Sequence, residues 1–154
     1  TEAIFFIIPA ALVMFVMAGT ALKAEGGAYG LAMAVPLLVF GLAFFATGLG
    51  VGVRTRAQVE QLEKDYAASP KAMVERELPR MEKVNANWSI YLTTWTVLTV
   101  AGLVFRFAFK ADWAHGLGPG LLLAGAIGFL IDGFAERRSR PYTAALVELA
   151  AKQK

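Results

Sequence analysis

Cysteine is absent from the 154 residues, histidine occurs once, and only 18% of the side chains are charged. Without cysteine there is no thiol nucleophile, no disulfide exchange and no thiolate metal site. The lone His115 cannot supply the paired axial ligands of a membrane b-type haem. The sequence therefore excludes a cysteine-ligated metal and a bis-histidine haem, and it names no other cofactor. Soluble domains average about 25% charged and 45–50% apolar residues, whereas 57% of this chain is hydrophobic. The few charges cluster, which leaves long intervals with none.

Four such intervals run from Ala3 to Leu22 (20 residues), Gly26 to Val53 (28), Val84 to Phe105 (22) and Trp113 to Ile131 (19). At 1.5 Å per residue each reaches across most or all of a hydrocarbon core about 30 Å thick. The first lacks a positively charged n-region, and its apolar stretch is longer than that of a secretory signal, so it reads as a true span. These lengths predict an all-α integral membrane protein, a single domain over 1–154, with spans at about 3–22, 30–53, 86–109 and 117–135 and a helical cytoplasmic segment at about 54–85.

Basic residues near span ends favour the cytoplasmic side. Seven lie between spans two and three (Arg54, Arg56, Lys64, Lys71, Arg76, Arg80, Lys83) and five after span four (Arg137, Arg138, Arg140, Lys152, Lys154). Only Lys23, Arg106 and Lys110 remain for the other side. Twelve against three predicts both termini in the cytoplasm. Small size and the lack of a targeting segment suggest the bacterial cytoplasmic (inner) membrane. The net charge of +3 then follows from topology, because the central basic residues alternate with six acids; no nucleic acid is implied.

The central segment contains no glycine between Arg54 and Lys83. Val59, Leu62 and Tyr66 share a face, and Glu60 with Lys64 forms an i, i+4 pair, so an amphipathic helix is expected. Ser69-Pro70 reads as a fresh start, serine at the N-cap and proline at the first helical position. Val74, Leu78 and Met81 share the next face. Pro79 cannot donate to the carbonyl four residues back and is expected to break or kink that helix. From Pro79 one helix should run to about Lys110 with no break between Glu82 and Trp88. The amphipathic segment before Pro79 is expected to fold back on Met81, Val84 and Trp88.

Span four carries Gly116, Gly120, Ala124, Gly128, Asp132 and Glu136 at four-residue spacing. Small residues let another backbone approach closely in lipid, so Gly120, Ala124 and Gly128 read as a packing face, as do Gly48 and Gly52 in span two. A carboxylate near a span is costly unless it faces water, another helix or a partner. Asp132, Glu136 and Arg137 are thus the candidate ion or partner site, or else edge charges paired with basic neighbours. Asn85, Asn87, Thr93, Thr96 and Thr99 make span three the most polar. They read as a lining for a substrate, or as side chains bonded to nearby carbonyls. Arg106 reads as a snorkelling cation, and His115 as an outer-loop residue or a metal ligand.

Local resemblances are short. Gly128 to Arg138, which reads GFLIDGFAERR, resembles over 11 residues the loop motif of the major-facilitator transporters, a family usually built from twelve spans. Asp132-Gly133 with Ala135 and Arg137 resembles the CDP-alcohol phosphotransferase motif, whose downstream aspartates are missing here. Four spans resemble the membrane-associated glutathione and eicosanoid enzymes, whose polar signature follows their first span; here Arg80, Asn85 and Asn87 precede the third. Small multidrug exporters share four helices but place a glutamate in the first, which here has no acid. None of these resemblances transfers a residue role.

The reading that results is a small, non-enzymatic, multi-pass inner-membrane protein, surrounded by lipid and acting as an accessory or structural subunit of a membrane complex or as a homo-oligomer. One alternative is a small proton- or cation-coupled transporter or channel using Asp132 and Glu136. Another is an enzyme acting on a lipid or quinone, with Asn85, Asn87, Thr93 and Asp132 in one pocket.

Overall fold

The computed structural model describes residues 2–153, with side chains from Phe5 onward. Lys154, counted above among the basic residues, and the side chains of residues 1–4 at the start of span one lie outside the described residues. Among the described residues there are four helices and no strand: α1 (Glu2–Ala24), α2 (Gly27–Ala68), α3 (Pro70–Ala108) and α4 (Asp112–Lys152). Each contains a segment long and apolar enough to cross a membrane.

The connections are tighter than the charge pattern implied. Between α1 and α2 the chain reverses at Gly26 and Gly27, whose φ values of 60° and 52° lie where a side chain would clash with its own backbone. Ser69 alone separates α2 from α3. Its extended backbone (φ −160°, ψ 99°) ends one helix, and its hydroxyl caps the next by accepting from the Ala72 amide, with Pro70 at the first helical position. Three residues, Phe109 to Ala111, turn α3 into α4.

With 42, 39 and 41 residues, α2, α3 and α4 are each about 60 Å long, twice a hydrocarbon core. The expected helix starting at Pro79 begins instead at Pro70, and Pro79 lies inside α3 without interrupting it. Both Pro79 and Glu75, whose carbonyl loses its usual donor, are on the exposed side. Water can satisfy that carbonyl, while Met73, Val74 and Met81 hold the opposite face in contact on either side of the proline. Pro9, Pro36, Pro119 and Pro141 are likewise accommodated within helices.

Contacts fix the register. Against α1, Gly41 meets Met14 and Phe15, and Gly48 meets Ile7 and Ile8, so α1 and α2 are antiparallel. Gly116 sits on Tyr29 and Gly120 on Met33 and Pro36, which makes α4 parallel to α2. Gly118 meets Gly102 and Arg106, Gly125 meets Thr99, and Gly128 meets Trp95, so α3 runs antiparallel to α4. Helix α4 therefore sits between α2 and α3, and α1 lies outside α2. The glycine ladder of α4 and the Gly48 face of α2 are occupied within the chain itself.

Two cores result. The apolar one unites Ala11, Met14, Ala18, Ala34, Leu37, Phe44 and Ala124. The second, at the charged end, is built on Met73, Val74, Met81 and Leu146, flanked by Leu62, Leu78, Val84 and Leu149. Val74, Leu78 and Met81 do share one face, and it is covered from two sides. The segment before Pro79 does return to the core that holds Met81 and Val84, through Leu62. The larger part of the cover is the continuation of α4 from Ser139 onward, which supplies Leu146, Leu149 and Ala150 and also takes the Trp88 indole. Outside the cores, Phe5, Phe6, Val16, Leu42, Val97, Phe107 and Leu130 are more than half exposed, the pattern of side chains that face lipid.

Candidate functional site

Two polar clusters lie along the α3–α4 seam. Both arise from the antiparallel register, which sets the middle of α3 against the middle of α4 and the polar start of α3 against the polar end of α4.

The first centres on Trp95, in mid-span and away from the interfacial belts where Trp is usually found. Gly128 makes room for its indole: a Cβ there would lie within 2.6 Å of three ring carbons. The ring reaches past α4 to Phe40 and Phe44 of α2, with centroids 5.5 and 5.6 Å away. Its Nε1 donates to the Asp132 carboxylate at 2.6 Å. One side chain thus ties three helices together, and Asp132, half-buried, meets the donor that its cost near lipid demands. Glu136, one turn on, belongs to a different arrangement. Its carboxylate takes Arg140 at 2.5 Å, and its carbonyl accepts from Ser139. The structure therefore directs Asp132 and Glu136 to separate partners. Arg137 is exposed.

The polar residues of α3 also divide. Asn85 joins α4, donating to the Thr143 hydroxyl at 2.8 Å and accepting from Ser139 at 2.7 Å. Trp88 donates to the same Ser139 at 3.0 Å. Thr96 and Thr99 bond the carbonyls of Leu92 and Trp95 in their own helix, each at 2.9 Å, the local back-bonding typical of hydroxyls in apolar helices. Thr93 is exposed and Asn87 half-buried. These five side chains do not converge on a common recess. Arg106 packs on Gly118, with its guanidinium 5.7 Å from the Phe107 centroid. It is fourteen residues, about 21 Å, along α4 from Asp132. His115 Nε2 lies 2.7 Å from the Phe109 carbonyl at the end of α3.

The second cluster lies in the charged end and was not anticipated. Glu77, only 5% exposed, binds Arg80 through both carboxylate oxygens, at 2.8 Å from Nε and 2.5 Å from Nη2. Tyr142 of α4 donates to the same carboxylate at 3.2 Å. The Arg80 hydrogen bonds hold the Glu77 carboxyl below its ordinary range, and burial only partly offsets them. Burial, reinforced by Glu77, pushes the Tyr142 phenol up. Beside this cluster, Arg76 pairs with Asp65 of α2. Glu77 to Arg80 is an i, i+3 spacing and was legible as a local pair. Its burial was not, because that depends on α4 returning over it.

Compared with known proteins, the chain matches no family model, no curated protein and no solved structure.

Proposed function

We propose that this chain is a non-enzymatic multi-pass protein of the bacterial cytoplasmic membrane, with both termini in the cytoplasm. In this reading it serves as an accessory subunit, joining a membrane complex or a second copy of itself through its charged end. One observation carries the reading: three helices continue unbroken past their apolar segments and close a separate core around Met73, Val74, Met81 and Leu146. A short loop would suffice to connect two spans. A rigid projecting body with a charged exterior supplies a surface on which another protein can register. The small-residue faces at Gly48 and along Gly116 to Gly128, being filled from within the chain, leave that task to the projecting end. The twelve-to-three division of basic residues supports its cytoplasmic placement.

Photo-crosslinking in native membranes tests this. A crosslinking amino acid at Lys71 or Glu75, both exposed on α3, should give a discrete adduct heavier than the monomer. One at Leu103, on an apolar surface, should give none. Monomer alone from both Lys71 and Glu75 contradicts the reading.

The half-buried Asp132 carboxylate between α3 and α4 favours, as a second reading, a proton- or cation-coupled transporter. Ion-driven flux in liposomes that is abolished by Asp132→Asn would select it.

A further inference from the structure

A recess of about 620 Å³ opens at the charged end between the continuation of α2 and the α3–α4 pair. That volume is in the range of sites that hold one small molecule, and it is too small to seat a helix of several turns. Its two walls differ in chemistry. From α2 come Val59, Leu62 and Tyr66, with Val59 and Tyr66 about half exposed, and from α3 come Arg76 and Arg80. Glu77, paired with Arg80, and Tyr142 complete that wall.

The ion pairs at this wall leave donors unused. Arg80 spends Nε and Nη2 on Glu77, and its side chain is still 46% exposed. Arg76, paired with Asp65, is 62% exposed. A guanidinium has five N–H donors, so each retains some for an anion, and guanidinium pairs with phosphate or carboxylate are strong because they are charge-assisted and directional. Buried Glu77 holds Arg80 in a fixed orientation. Glu63, also lining the recess, disfavours an anion on the α2 side, whereas the Glu77 and Asp65 carboxylates are each already paired with an arginine.

Position adds a second constraint. Thr55 at one end of the recess lies two residues past the charge-free interval of α2, which ends at Val53. Tyr66 at the other lies eleven residues, about 16 Å, further along the helix. The headgroup layer outside a hydrocarbon core is about 5–8 Å deep, so the recess begins within it and extends beyond.

We propose that this recess binds an anionic amphiphile, its phosphate or carboxylate head on Arg76 and Arg80 and its apolar body against Val59, Leu62 and Tyr66. The inference rests on the membrane placement argued above, and not on the chain's being a subunit of a complex.

The full chain, extracted in mild detergent, should be titrated in native mass spectrometry with dioleoyl phosphatidylglycerol, dioleoyl phosphatidylcholine, dodecyl phosphate and glycerol phosphate. Phosphatidylglycerol should be retained about tenfold more tightly than phosphatidylcholine, and Arg76→Gln and Val59→Glu should each remove that preference. Lys64→Gln, on the exposed side of α2, should leave it intact and so controls for net charge. Retention of dodecyl phosphate as well assigns the site to anionic amphiphiles in general; retention of phosphatidylglycerol alone assigns it to a bilayer lipid. Equal retention of both lipids, or a preference unchanged in Arg76→Gln and Val59→Glu, overturns the proposal. So does glycerol phosphate binding as tightly as dodecyl phosphate, because the apolar wall would then contribute nothing. A chain that stays in carbonate-washed membranes yet shows no preference refutes the recess and leaves the membrane reading standing.

Discussion

Glu77 and Gly128 show how much a single position can depend on a helix remote in sequence. The Glu77 carboxyl is held below its ordinary value of 4.5, first by the Arg80 hydrogen bonds. A carboxyl lowered on folding adds stability above its unfolded value, and that stability is lost as pH falls through the folded value. The charged end should therefore lose hydrogen-exchange protection at Met73 to Met81 as pH drops below 4.5, and Glu77→Gln should remove that acid-dependent component. Protection in the unsubstituted chain that does not change with acidification would contradict this. At Gly128 any side chain meets the Trp95 ring, so Gly128→Val should overpack the seam, costing about 1–3 kcal/mol. Thermal denaturation followed by Trp fluorescence reads it directly. Asp132 was visible in the sequence because a carboxylate near a span is rare. Its donor was not, because nothing in residues 84–105 singles out Trp95 until the register of α3 against α4 is known.

The helices were legible where hydropathy speaks and illegible where it does not. Charge-free intervals located all four apolar segments, and Ser69-Pro70 marked the start of α3 at the residue where the helix begins. Pro79 misled because a proline's cost in a helix depends on which side it faces: on the exposed side, water replaces the lost donor. That cost persists in part, so Pro79→Ala should stabilise the charged end by up to about 3 kcal/mol, seen as a higher unfolding midpoint. The stretch from Ser139 to Gln153 is the larger omission. Its apolar residues are too sparse to register as a span, yet Leu146 is only 2% exposed and sits at the centre of the second core. Leu146→Ala should cost about 2–5 kcal/mol and open Arg76, Arg80 and Lys83 to trypsin, while membrane extraction behaviour stays the same. Unchanged cleavage would show that the second core does not hold the helices together.

On the scale of the whole molecule, one arrangement accounts for both the charge distribution and the contacts. Helix α4 lies between α2 and α3, parallel to the first and antiparallel to the second, so the ends of α2 and α4 and the start of α3 meet at one end. Seven basic residues of the central segment and, after Asp132, Arg137, Arg138, Arg140 and Lys152 are gathered there, while Lys23, Arg106 and Lys110 sit at the other. The counting rule gave a side for each link, and the contacts explain why those links form one body. The most direct test uses the absence of native cysteine. Single cysteines at Ala68, Lys152 and Glu25 are treated in intact cells with a membrane-impermeant thiol reagent. Ala68→Cys and Lys152→Cys should be protected until the cells are permeabilised, and Glu25→Cys should label at once. Labelling of Ala68→Cys from outside, or opposite behaviour of Ala68→Cys and Lys152→Cys, would contradict a single charged end on the cytoplasmic side.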